Sequence, residues 1–139
     1  MIVMNFDDLV LAFHFVNSGA LTENQAFISK DSGKIYWYSE FGTIEDELPD
    51  DIESGNYVEI PHRNELDLGN RLVLRFIEDT LPDDFDAVAD MFRRPRAYAR
   101  FKDLLDHRGK LEDWYQFEER KYEEALREWC RDHEIDADG

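Results

Sequence analysis

Only one cysteine, Cys130, occurs in the 139 residues. It has no partner for an internal disulfide, so a reducing compartment is expected. No apolar run approaches the ~20 residues that span a bilayer. The opening stretch MIVMNFDDLVLAFHFV is interrupted by Asp7, Asp8 and His14, with no basic residue ahead of it. A secretory leader needs a positive start and a small-residue cleavage site, and both are missing. The chain therefore reads as soluble and cytoplasmic. Its seven glycines form no phosphate-binding loop and no dinucleotide fingerprint, and there is no Gly-x-Ser-x-Gly elbow. The histidines, His14, His62, His107 and His133, are scattered, and no two are four residues apart. With one cysteine they make no zinc ligand set, so no metal and no cofactor are expected. Cations are scarce as well. Sixteen Lys and Arg face 33 Asp and Glu, for a net charge of −17. That charge opposes unaided binding to DNA, RNA or an anionic membrane, because phosphate repulsion acts on the whole molecule.

Aromatic and apolar residues are plentiful. Hydrophobic residues make up 42% and aromatics 14%, which separates the chain from disordered acidic sequences. Its length suits a single domain over residues 1–139 with one core.

Asn5 is placed to cap a first helix, with acids in its first turn and a stripe of Phe6, Leu9, Val10, Phe13 and Val16. Ser18-Gly19 is expected to end it. Ala26–Ile28 and Ile35–Tyr38 flank Asp31-Ser32-Gly33-Lys34 and read as a hairpin. Residues 40–56 are acidic and read as a loop. Residues 56–60 alternate as a third strand, stopped by Pro61. A helix is expected over 64–81, a short one opened by Pro82 and another opened by Pro95 and stopped by Gly109. A long helix follows from about Leu111 to His133. The tail from Ile135 is expected to fray. The fold class is α+β: a small antiparallel sheet of about three strands, an N-terminal helix and a helical C-terminal half.

Several stretches carry a family resemblance. They are Ile35-Tyr36-Trp37-Tyr38, Tyr57-Val58-Glu59-Ile60-Pro61-His62 and Leu66-Asp67-Leu68-Gly69. The clearest is Ala97-Tyr98-Ala99-Arg100-Phe101-Lys102-Asp103-Leu104-Leu105, followed by Trp114-Tyr115-Gln116-Phe117-Glu118 and Glu128-Trp129. Over most of its length the chain resembles uncharacterised protein family 0158, a set of small bacterial proteins. The resemblance implies no activity, cofactor or catalytic residue.

The charge distribution is uneven. Residues 93–110 hold seven of the sixteen cations (Arg93, Arg94, Arg96, Arg100, Lys102, Arg108 and Lys110) and only two acids, Asp103 and Asp106. That segment carries +5 and the rest of the chain −22. Arg96, Arg100, Asp103 and His107 have the spacing of one helix face. Two readings stay open. The cations pair internally, with acids of residues 40–56 or with Asp83, Asp84 and Asp86. Alternatively they form a grip for an outside anion, since the Arg fork suits carboxylate and phosphate. On the second reading the binding residues are Arg93, Arg94, Arg96, Arg100, Lys102, His107 and Arg108. Secondary candidates are His62, Arg63 and Asp67, between a strand and a helix where functional loops often sit.

The leading expectation is a non-enzymatic interaction module that binds an acidic or phosphate-bearing partner, either a protein or a local phosphate or acidic group. A rival is an acidic nucleic-acid mimic that blocks the basic groove of a DNA- or RNA-binding protein. A third is an enzyme whose residues converge only in three dimensions, with His62, Arg63, Asp67 and Glu118 as polar candidates. Cys130, late in an amphipathic helix, reads as an inert thiol.

Overall fold

The structure, a computed structural model, describes residues 2–18, 23–40 and 48–138. Gly19 and residues 41–47 of the acidic loop lie outside the described residues. The chain divides into two compact units. The first gathers Met1–Leu66 with Glu124–Gly139, and the second is Asp67–Glu123. The architecture is α+β, as its periodicities require.

The first unit starts with β1 (Ile2–Val3) and α1 (Phe6–Val16). The Asn5 side chain accepts the Asp7 backbone N–H at 2.8 Å, satisfying one orphan donor of the first turn. Leu9, Ala12, Phe13 and Val16 bury one face of α1. The hairpin is β2 (Asn24–Ser29) and β3 (Ile35–Ser39), and β4 (Tyr57–Glu59) adds on the other side of β2. All pairings are antiparallel, in the order β3-β2-β4. Ser29 shapes the turn. Its backbone carbonyl accepts the Gly33 N–H at 2.9 Å, and its hydroxyl accepts those of Asp31 and Ser32. Gly33 has φ +75°, and a Cβ there would meet the Val3 carbonyl oxygen. Only glycine fits such a backbone and such an approach.

The tail does not fray. After α5 (Leu111–Asp132), β5 (Ile135–Asp136) pairs in parallel with β1. The Ile2 N–H donates to the Glu134 carbonyl at 3.1 Å and the Met4 N–H to that of Asp136 at 3.0 Å. Ile135 and Ala137 are buried. Sequence distance hid this pairing, because its two partners stand at opposite ends of the chain.

The second unit is helical. The helix expected over 64–81 is divided. A 3₁₀ turn (Arg63–Leu66) in the first unit precedes α2 (Asn70–Thr80), which starts after Gly69. Asp67 between them takes a left-handed φ of 56°, which its short polar side chain tolerates. Leu81, before Pro82, leaves the helical region. A 3₁₀ turn at Pro82–Asp84 leads into α3 (Phe85–Met91). Helix α4 covers Ala97–Arg108 and ends at Gly109, φ 68°. There the Lys110 N–H returns to the Leu105 carbonyl at 2.8 Å, the glycine-terminated closure its sequence predicts.

The core of this unit is aromatic. Trp114, 1% exposed, meets Phe101 edge to face at 5.0 Å and Phe76 at 5.3 Å between ring centroids. Each such pair contributes about 0.5–1.5 kcal/mol beyond area burial. The indole N–H donates to the Tyr98 hydroxyl at 3.0 Å, which donates on to Glu118 Oε2 at 2.9 Å. Burial and the Glu118 charge hold Tyr98 protonated far above the usual phenol range. Among the described residues no helix is long and apolar enough to cross a membrane.

Candidate functional site

The basic segment runs from the turn after α3 to just past the end of α4. Arg93 and Arg94 lie in the turn after α3, Arg96 immediately precedes α4, and Arg100, Lys102, His107 and Arg108 are on it. Arg93, Arg94, Arg96, Arg100, His107 and Arg108 are exposed, and Lys102 is half-buried.

The expected helix face is incomplete. Arg96 is not helical. It has φ 61° and ψ 28°, the left-handed conformation, and its side chain makes no cap bond. Its carbonyl still accepts the Arg100 N–H at 3.1 Å. The 3.6-residue rule therefore does not place Arg96 beside Arg100, and only Arg100, Asp103 and His107 follow it. The helix expected to open at Pro95 therefore starts two residues later, at Ala97, because the left-handed Arg96 breaks the helical run between them. An L-residue in this conformation is strained by its Cβ, at about 1 kcal/mol or more.

The structure sorts the cations. Arg108 clasps Asp84 through Nε and Nη2, each at 3.0 Å. The Asp84 side chain is largely covered, and the Arg108 hydrogen bonds hold its carboxyl below the usual carboxylate range. This is an internal pair of the expected kind. Arg94 lies 3.3 Å from Asp90, one turn back, with both side chains exposed. Exposed pairs of this kind contribute a few tenths of a kcal/mol. The Lys102 ammonium lies 5.1 Å from the centre of the Tyr98 ring. The side chains of Arg93, Arg96 and Arg100 make no hydrogen bond or ion pair among the described residues. The acids at 45–47 lie outside those residues.

The secondary candidates belong to different units. His62 and Arg63 follow β4 in the first unit, and Asp67 opens the second. His62 Nδ1 accepts the Asn64 N–H at 3.2 Å, and partial burial, aided by Arg63, holds its pKa below 6.5. The Arg63 backbone N–H donates to Asn17 Oδ1 at 2.8 Å, anchoring the turn to the end of α1. Asp67 faces Arg71 at 3.8 Å on an exposed surface. Glu118 is engaged by Tyr98.

Clefts open among the described residues of each unit. One, in the first unit, has a volume of about 610 Å³ and includes Lys30, Tyr57, Glu59 and His133 in its lining. Another, about 300 Å³, is in the second unit beside Phe76, Asp79 and Arg120. His62, Arg63, Asp67 and Glu118 line neither. Among the described residues no group of three His, Cys, Asp or Glu side chains is arranged to hold a metal ion. Burial pushes the Cys130 thiol up to about 11, which keeps it protonated at neutral pH.

One surface escapes a reading by charge. On β2 and β3, Phe27, Tyr36 and Tyr38 share a side of the sheet, and Tyr57 on β4 joins them. The Tyr57 hydroxyl donates to Asp51 at 2.8 Å and is pushed up to about 12, first by that bond and then by burial and nearby carboxylates. Period-two alternation in Ile35-Tyr36-Trp37-Tyr38 separates Trp37 from the two tyrosines and carries the signal for this face.

Residues 2–138 match the uncharacterised protein family UPF0158. The chain belongs to that family. Nothing among curated proteins or solved structures matches it. The match spans both units, so it covers the basic segment as well as the sheet.

Proposed function

We propose that this member of the family is a non-enzymatic interaction module, gripping an acidic or phosphate-bearing protein partner through Arg93, Arg96 and Arg100, with Lys102 beside them. The observation that carries the reading is the sorting of the cations. Arg94 and Arg108 have carboxylate partners, whereas three exposed guanidinium groups make no ion pair among the described residues. The strained backbone at Arg96 adds support, since strain of this kind clusters at binding sites. A planar guanidinium fork offers two parallel donors to a carboxylate or phosphate. The rest of the molecule, carrying −22 outside residues 93–110, repels generic nucleic acid, so selectivity comes from geometry at short range.

Charge reversal tests the reading. Arg96→Glu with Arg100→Glu is expected to abolish recovery of the partner in pull-downs and to leave the thermal transition nearly unchanged. A large loss of stability, with recovery unaffected, would instead make these cations structural.

A further inference from the structure

The first unit covers the two faces of its sheet unequally among the described residues. Ala26 and Ile28 on β2 are fully buried, so Phe27 between them faces the opposite side. Register carries that side across the strands. Phe27 stands opposite Tyr36 and Glu59, Gln25 opposite Tyr38, and Ser29 opposite Tyr57. The Tyr36 and Tyr57 rings meet across the central strand, edge to face at 6.1 Å. Tyr38 is 39% exposed, and Phe27, Tyr36 and Tyr57 are half-buried.

The chemistry of this face is that of a cation receptor. The Lys34 ammonium already lies 4.7 Å from the centre of the Tyr36 ring, against the negative face of its quadrupole. Carboxylates stand around the rings. Asp51 is held by the Tyr57 hydroxyl and Glu59 by the Gln25 amide at 3.0 Å. Lys34 is a cation on this side, within a chain of net charge −17. A single-stranded nucleic acid would need an aromatic platform in a cationic groove, and these carboxylates oppose that.

We infer that the less covered sheet face is a docking surface for an arginine-bearing segment of a protein partner, with guanidinium groups stacked on Tyr38 and Tyr36 and held at their edges by Glu59 and Asp51. Arginine fits better than lysine because its plane both stacks and forks. This surface is distinct from the basic segment and opposite to it in charge.

The test uses the full chain and a fluorescein-labelled peptide, Gly-Arg-Gly-Arg-Gly-Arg-Gly, followed by fluorescence anisotropy at about 0.15 M salt, where long-range attraction is screened. Saturable binding is expected, weakened about fivefold or more by Tyr38→Ser and further by adding Tyr36→Ser. Neither substitution changes charge, and circular dichroism checks that Tyr38→Ser, at an exposed position, stays folded. The Arg96→Glu/Arg100→Glu variant should bind the peptide at least as tightly, which separates this surface from the basic segment. Failure to bind, or equal binding by wild type and Tyr38→Ser, overturns the inference, the second result revealing only generic attraction to an acidic protein. Preference for labelled oligothymidylate overturns it in favour of nucleic acid. Self-association of the chain that Tyr38→Ser abolishes overturns it in favour of a second copy.

Discussion

At the scale of the residue, Arg96 carries the most information. Its backbone occupies a conformation that suits glycine, at φ 61°, and a Cβ there costs about 1 kcal/mol or more. The side chain repays none of this by capping α4. Arg96→Gly is therefore expected to stabilise the protein by about 1 kcal/mol. The urea midpoint should rise with an unchanged slope. The same substitution removes a guanidinium group from the proposed grip and should weaken partner binding. Gains in stability with losses in binding are the expected signature of a strained functional residue. A variant that loses stability would show that the Arg96 side chain makes a contact of structural weight.

At the scale of the element, two short strands matter more than their length suggests. Strands β1 and β5 join the two ends of the chain, and Ile135 between them is 6% exposed. Truncating a buried isoleucine to alanine removes apolar contact and leaves a cavity, at about 2–5 kcal/mol. Ile135→Ala should fall in that range by chemical denaturation. Hydrogen exchange gives an independent readout, because the Ile2 and Met4 amides donate across the pair. Both amides should be protected in the wild type and lose protection selectively in the variant. Unprotected amides in the wild type would return the tail to the frayed segment that its composition suggests. The helices show the opposite balance. Gly109 stops α4 and Pro82 precedes α3 through local chemistry that is visible in the sequence, whereas Asp67 and Gly69 divide a helix that apolar periodicity draws as continuous.

At the scale of the whole molecule, the net charge of −17 sets a background of self-repulsion. Internal pairs such as Arg108–Asp84 and Arg127–Asp138 relieve it locally. Pairs with at least one exposed partner contribute little net stability, so repulsion should dominate the response to salt. Raising salt from about 0.01 M to about 0.15 M shortens the Debye length from about 30 Å to about 8 Å. The thermal midpoint is expected to rise over that interval. A fall would show that internal ion pairs outweigh repulsion. The two proposed surfaces share no residue, and the ligands they would take carry opposite charge. Charge reversal in one should leave ligand binding by the other in place.

Local chemistry was enough for the Asn5 and Gly109 caps, the hairpin, the third strand and the α+β class, because each rests on neighbours a few residues apart. It was enough too for family membership and for the uneven distribution of charge. Contacts between distant residues were beyond its reach. The pairing of β1 with β5, the clasp of Arg108 on Asp84 and the meeting of Tyr36 with Tyr57 join positions that no periodicity relates. The left-handed turn at Arg96 belongs with these, since the residue type argues against it and only the folded chain imposes it. Burial and register are properties of the packed state, and they decide which charges and rings are left facing outward.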